Sequence, residues 1–376
     1  MAAEAVYLDW NATAPARPEA VEAVVRAMRD VGNASSVHRF GRAARKLVED
    51  AREEVAALVG AAPANVVFTG GGTEANNLAL RGCGDRRLIV SAVEHGAVLA
   101  PALMRDAGAV ILPVDGDGVV DLDALEAALR KADKPALVSV MRANNETGVL
   151  QPVAEVAALA HRHGALVHCD AVQAAGKIPF DMAELGVDLA SFSAHKLGGP
   201  QGVGALVLAA DLPLEAQTLG GGQERGRRSG TENVAGIAGF GTAARVARAS
   251  LGDYAAIAAL RDDLERRTAV IAQDRRVLGA GAERLPNTSC LTMPGVRSET
   301  QVMAFDLEGV AVSAGSACSS GKVSASHVLE AMGLDADEAL TAIRVSLGWS
   351  TTAAGIDRFV AVWREVFERC GRRAAA

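Results

Sequence analysis

A lysine at the end of an apolar run is the first residue in this sequence with chemistry in view. Ser191-Phe192-Ser193-Ala194-His195-Lys196 leads into Leu197-Gly198-Gly199-Pro200. A lysine walled by small residues at a strand end is desolvated, its pKa falls and its amine becomes nucleophilic, as a Schiff-base lysine requires. The plain alternative is a solvated loop lysine. Earlier in the chain, the apolar run Leu166-Val167-His168-Cys169 ends in Asp170. Ligands bind at the C-terminal ends of parallel strands, and an Asp there can pair with a pyridinium nitrogen and improve it as an electron sink. It can equally serve as a helix N-cap. Earlier still, Phe68-Thr69-Gly70-Gly71-Gly72-Thr73-Glu74-Ala75-Asn76-Asn77 reads as a strand, three glycines, a hydroxyl and a helix. Glycines let the backbone approach a ligand, and free amides at a helix start favour phosphate. The run is neither a Walker A loop nor GxGxxG. A tight turn capped by Thr73 is the other reading.

Ser313-Ala314-Gly315-Ser316-Ala317-Cys318-Ser319-Ser320-Gly321 sets one cysteine among small polar residues after a short strand. This predicts an exposed, mobile loop, and exposure is the first condition for a reactive thiol; an incidental surface cysteine is the alternative. Cys169 and Cys290 fall in apolar strands and Cys370 in a terminal helix, while Cys83 sits in a polar turn open to solvent. No CxxC pair or His-spaced zinc pattern is present, so no resident metal is expected. His95 and Asn145 each follow a strand, and Arg344 lies on a late apolar strand where a charge needs a partner. Each alone is more often structural. Taken in order, an anion loop, a strand-end Asp and a Schiff-base Lys are the parts of a pyridoxal-phosphate site.

Elements that would position these residues follow from the hydrophobic pattern. Val21, Val24, Val25 and Met28 recur at helical spacing, as do Leu47, Val48, Ala51, Val55, Leu58 and Val59 before Gly60. Seven β-rich runs follow, over 66–69, 88–93, 110–114, 137–141, 166–169, 189–193 and 203–208, with helical patterns between many of them, including 121–131 behind Asp121 as N-cap and 153–163. Apolar strands separated by helices predict an α/β fold with a mostly parallel seven-stranded sheet buried on both faces. Gly220–Gly230 reads as a long polar loop, followed by helices over 234–249 and 254–273. The last third mixes strands (289–293, 310–313, 343–347) with helices, the last over 356–370. The expected division is a large domain over 16–250 and a smaller α/β domain over 251–376, which the segment 1–15 joins.

Composition narrows the function classes. The chain has 376 residues, 50% hydrophobic and 22% charged, which excludes a disordered chain. A net charge of -7 removes most of the case for nucleic acid, and the scarcity of Phe, Trp and Tyr argues against base-stacking platforms. No apolar run is long enough for a membrane span and no leader-like apolar region is seen at Met1–Trp10. A reducing cytoplasm is the expected location.

The ordered motifs SSVHRFGR (35–42), FTGGGTEANNLAL (68–80), EHGAVL (94–99), NNETGVLQPV (144–153), CDAVQAAGKI (169–178), SFSAHKLGGPQGVGAL (191–206), GGGQERGRRSGTENV (220–234) and SAGSACSSG (313–321) resemble those of the NifS/IscS-type cysteine desulfurases, class-V aminotransferases of pyridoxal-phosphate fold type I. The resemblance runs from about Val6 to the last helix, and the cysteine loop has the longer form of that branch. It implies that Lys196 holds pyridoxal 5'-phosphate, that Asp170 pairs with the ring nitrogen and Gln173 with the ring hydroxyl, and that His95 stacks on the ring. Gly72, Thr73, Ser193 and His195 would bind phosphate, and Thr231 would reach the phosphate of a neighbouring subunit in a homodimer. Asn145 and Arg344 would hold the substrate carboxylate, with Cys318 as nucleophile. The implied reaction takes L-cysteine to L-alanine and leaves sulfur on Cys318 as a persulfide. A sulfur-acceptor protein, for iron–sulfur assembly or thiolation, would then collect it, and Cys318 would there meet a partner's cluster. Leu8-Asp9-Trp10-Asn11-Ala12-Thr13-Ala14-Pro15 departs from the usual LDNAATTP at Trp10 and Ala14, near the expected substrate entrance. A selenocysteine lyase, a transaminase of the same fold and a non-catalytic scaffold are the competing readings; Cys318 speaks against a transaminase.

Overall fold

The computed structural model describes residues 5–210, 212–315 and 325–371. Its strands are β1 (Val6–Tyr7), β2 (Val66–Thr69), β3 (Arg87–Ser91), β4 (Val110–Leu112), β5 (Ala136–Ser139), β6 (Leu166–Asp170), β7 (Leu189–Ser193), β8 (Gly204–Leu208), β9 (Thr288–Thr292), β10 (Val310–Ala311), β11 (Ser313–Ala314) and β12 (Ala342–Ser346). Seven form one sheet in the order β2-β8-β7-β6-β5-β3-β4. Only β8 opposes its neighbours; β7, β6, β5, β3 and β4 run parallel. The seven expected runs are these strands, with ends shifted by one or two residues.

Alternation along the strands explains why both faces are covered. Val66, Phe68, Ala205 and Val207 join one core with the helices Arg39–Leu58 and Val234–Ala249. Val67, Leu206 and Leu208 join another with Gly72–Gly82 and Gly96–Arg105. Successive side chains point to opposite faces, so an unbroken apolar run requires cover on both. Each such Val or Leu, fully buried, contributes roughly 1.5–3 kcal/mol. The helix Val234–Ala249 is rich in Gly and Ala because it packs closely: a Cβ at Gly241 would meet Ala51 Cα at 2.4 Å.

A three-stranded antiparallel sheet, β11-β12-β9, lies in the last third and sets Arg344 opposite Ser313 and Cys290. The expected single strand over 310–313 is two short ones, since Val310–Ala311 pairs parallel with β1 while Ser313–Ala314 pairs with β12. The helix Leu251–Ile271 begins earlier than expected, and the last helix, Ala353–Val366, ends in a π turn over Phe367–Gly371. Asp121 does cap Leu122–Lys131, its side chain accepting from Ala124 N. No helix among the described residues is long and apolar enough to cross a membrane.

Candidate active site

The strands β2, β3, β5, β6 and β7 end on one edge of the large sheet, and the functional candidates sit where they end. After β7 a single turn, Ala194–Lys196, brings His195 and Lys196 over that edge. Gly198 then reverses the chain at φ +85°, where a side chain would also meet Arg17 and Trp349. β6 ends on Asp170 itself. β3 leads through Glu94 to His95, whose ring caps the helix Gly96–Arg105. β2 runs into Gly70 and Gly71 and the helix Gly72–Gly82.

One cavity of about 730 Å³ gathers Gly72, Thr73, His95, Asn145, Asp170, Gln173, Ser193, His195, Lys196 and Arg344. Two expected residues are elsewhere. Thr231 is exposed, outside this cavity. Cys318 lies outside the described residues, between Gly315 and Ala325, which both line the cavity.

Lys196 Nζ donates to the backbone oxygens of Asn11 (2.5 Å) and Ala12 (2.8 Å). Burial, then the nearby positive charge of Arg344, lowers its pKa from 10.5 to about 8. A usable share of neutral amine is therefore present near pH 8, the state a nucleophilic lysine needs. His195 is held by Thr13, Nδ1 to Oγ1 at 3.2 Å, and burial followed by Lys196 brings its pKa down to about 4. His95 opens to the cavity, yet lost hydration still lowers its pKa. Its Nδ1 accepts from Ala97 N (3.1 Å), so the neutral ring carries its proton on Nε2.

Asp170 caps no helix. Its Oδ2 accepts from Asn76 Nδ2 (2.7 Å) and its Oδ1 from Val172 N (3.0 Å). Thr73 is not a cap either: the helix starts at Gly72, Gly71 is its N-cap, and no side chain satisfies the first amides. Those amides and the Thr73 hydroxyl are thus free for an anion. Gly72 is close against the floor, where a Cβ would meet Val172 Cγ2 at 2.9 Å and Ser193 Cβ at 3.4 Å. Arg344 donates to Asp9 Oδ1 (2.7 Å) and Asn145 O (3.1 Å), and its buried Nε has no partner. An unpartnered guanidinium N–H inside a cavity is a ready contact for a carboxylate.

Several residues in or behind the cavity carried no sequence signal. Asn11 sits at a junction, its amide and carbonyl reaching Asn145, Thr288, Gln173, Lys177 and Lys196. Glu94 is buried, with Oε1 accepting from Met141 N (2.6 Å) and Oε2 unpartnered; burial, then the charge of Asp170, raises its carboxyl well above the usual range. Glu146 is raised by burial too, and Ser326 donates to it at 2.6 Å. His327 lines the cavity and contacts Glu94 O through Nε2 at 2.9 Å. The EHG and NNE motifs contain the two acids, but nothing local marks them as buried.

Cys83, Cys169 and Cys290 are buried, and burial raises the pKa of each thiol. Cys83, expected in an open turn, is buried, and its thiol is pushed up to about 11 by burial, because as C-cap of the helix Gly72–Gly82 it joins the apolar cluster that helix forms with the sheet. Cys290 is pushed up to about 12 by burial, and Cys169 is raised well above its ordinary value. Trp10 does not line the cavity. Its ring is buried 4.6 Å from the Trp349 ring, centroid to centroid, and fills the space beside Gly348.

The donor set suits a flat anionic ring: unpaired amides and hydroxyls, a carboxylate and a low-pKa amine all line one cavity. Comparison with known proteins agrees. The model of the family Aminotransferase class-V matches residues 6–359. The cysteine desulfurase of Cereibacter sphaeroides is 46% identical over 370 residues, covering 96% of this chain and 95% of that protein. The solved NifS-like protein of Rickettsia africae superposes with a TM-score of 0.91 at 34% identity, covering 97% of this chain and 100% of the other. A structure described as SspA in complex with cysteine gives 0.80 at 29% identity, covering 91% and 98%.

Proposed function

The chain belongs to the class-V aminotransferase family, and on that premise we propose that it is a cysteine desulfurase dependent on pyridoxal 5'-phosphate. The observation that carries the reading is the meeting of Lys196, Asp170, His95 and Arg344 in one cavity, at whose wall the two ends of the Cys318 segment stand. Cysteine desulfurases align over nearly the whole chain.

Gly72, Thr73, Ser193 and His195 would hold the cofactor phosphate, Asp170 the ring nitrogen, Gln173 the ring hydroxyl, and Lys196 the carbonyl carbon. When bound, the cofactor supplies an electron sink for charge that develops at the substrate α-carbon. The chain supplies the rest. Arg344 and Asn145 orient the carboxylate of L-cysteine, and Arg344 is itself oriented by Asp9. Lys196, with its lowered pKa, takes and returns the α-proton. His95, neutral with its proton on Nε2, is placed to pass a proton to the substrate. The Cys318 thiolate attacks the substrate sulfur: the carbon–sulfur bond breaks, a sulfur–sulfur bond forms, and protons complete alanine. The products are L-alanine and a Cys318 persulfide, with no external oxidant.

The reading extends to assembly. Thr231 would serve the phosphate of a second copy, which makes the enzyme a homodimer, and its exposure is consistent with that use. A sulfur carrier or an iron–sulfur scaffold would take the persulfide sulfur. The chain divides at about residue 250, and the pairing of β1 with β10 supports assigning segment 1–15 to the smaller part.

The test is alanine released from L-cysteine with reductant present, by wild type and by Cys318→Ser. Alanine from the wild type alone supports the reading and the role of Cys318. Equal release by both removes Cys318 from the mechanism, and release by neither rejects desulfuration of cysteine.

A further inference from the structure

Lys177 lies one turn beyond Gln173 and is buried. Its Nζ donates to Gln173 Oε1 at 2.6 Å and to Asn11 Oδ1 at 2.8 Å; no carboxylate is among these partners. Burial, then the charges of Lys196 and Arg344, draws its pKa well below the ordinary lysine value. An unpaired buried lysine costs stability, and no step set out above uses it.

What the amine does is fix two amides. An amide's oxygen and nitrogen ends have nearly the same shape, so only hydrogen-bond partners decide which end faces where. Gln173 turns Oε1 to Lys177, and its Nε2 donates to Asn11 O at 2.9 Å, the same carbonyl that receives Lys196 Nζ. Asn11 turns Oδ1 to Lys177 and Asn287, which leaves its Nδ2 to Thr288 Oγ1 and Asn145 O.

We propose that Lys177 is a positioning residue for the cofactor: by holding Oε1 of Gln173 it presents that side chain's N–H donors, never its oxygen, to the ring hydroxyl. The proposal rests on the cofactor reading above. A hydroxyl oxygen that accepts from Gln173 holds negative charge more readily and competes less for the proton at the Lys196 nitrogen. Loss of that donor lets the proton be held to higher pH. The charged groups facing this corner are Lys196 and Arg344, with Asp170 and Asp9 acting on Lys196. A direct field from a Lys177 charge is the rival explanation and would shift the midpoint in the same direction without Gln173, so the test must separate the hydrogen bond from the field.

The experiment is a pH titration of the visible absorption of protein reconstituted with pyridoxal phosphate, for wild type, Lys177→Met, Gln173→Leu and the double variant. Each single variant is expected to raise the midpoint by roughly half to one pH unit. The double variant should rise no further, because Lys177 acts through Gln173. Additive shifts, or an unshifted Lys177→Met, overturn the proposal. Should Lys177→Met not fold, Lys177→Gln keeps an uncharged N–H donor: a wild-type midpoint supports the proposal, and one as high as that of Gln173→Leu overturns it. A wild-type protein that takes up no pyridoxal phosphate rejects the parent reading and this inference together; a wild type that titrates normally leaves the parent reading standing whatever the variants do.

Discussion

Replacing Arg344 tests two of its roles at once, because its charge and its shape act on different partners. The charge lowers the Lys196 pKa, second only to burial. The fork is set by Asp9 and Asn145, with Nε left over inside the cavity. Arg344→Gln removes both; Arg344→Lys keeps the charge and loses the planar fork. Burial remains in either variant, so in the glutamine variant the Lys196 midpoint should rise from about 8 by up to about one pH unit rather than return to the free-lysine value. In the lysine variant it should stay near about 8. A hydrogen bond to a charged group is worth about 1.5–3 kcal/mol, so both variants should raise KM for L-cysteine by about 10- to 100-fold. The midpoint is measured on cofactor-free protein from the pH dependence of Lys196 acylation, followed by peptide mass spectrometry. KM comes from alanine release. An unchanged midpoint in Arg344→Gln refutes the electrostatic argument, and an unchanged KM in both variants refutes carboxylate binding.

Three further outcomes concern the scaffold. Arg52→Met breaks a buried bidentate pair with Glu224, whose backbone is held at φ +47° and whose Oε2 also accepts from Phe68 N; chemical denaturation should show a loss of about 3–5 kcal/mol. Adding Glu224→Gln should recover part of that loss, and additive losses would show that the pair is not coupled. His168, bonded to Ser139 and Ser191 between strands, has its pKa lowered to about 3 by burial. The unfolded chain binds the proton first, so this contribution is complete above pH 6.5 and falls as pH drops, by about 2 kcal/mol at pH 5. His168→Asn should flatten that part of the stability profile; an unchanged slope between pH 6.5 and 5 argues against it. Trp10→Ala should lower stability by about 3–5 kcal/mol through the cavity it leaves while leaving KM for L-cysteine unchanged, and a large KM change would return Trp10 to the substrate entrance.

The sequence by itself determined the local architecture. Apolar runs of four or five residues between helical patterns specified the strands, because a strand buried on both faces tolerates almost nothing polar within it. It also determined where candidate side chains stand along the chain: Asp170 closes its strand, Lys196 follows its strand by a single turn, and Gly71 and Gly72 open a helix. Glycine φ freedom, strand ends and helix starts are local properties, readable from a few neighbours. It left open whether Asp170 and Thr73 were caps, since capping residues and ligand-binding residues are the same types at the same places. Tertiary structure decided that, by giving Asp170 to Asn76 and the cap position to Gly71. Burial was legible where a polar residue sat in or beside an apolar strand, as at Arg344 and Lys196, and not elsewhere. Cys83 sits in a stretch that reads as a turn, and nothing local marks Lys177 as buried; only the packing of other elements over them removes their water. Asn11 and Asp9 became parts of the site through bonds to residues up to 335 positions away. Such contacts depend on how the N-terminal segment crosses from the small sheet to the large one, and no periodicity along the chain encodes that crossing.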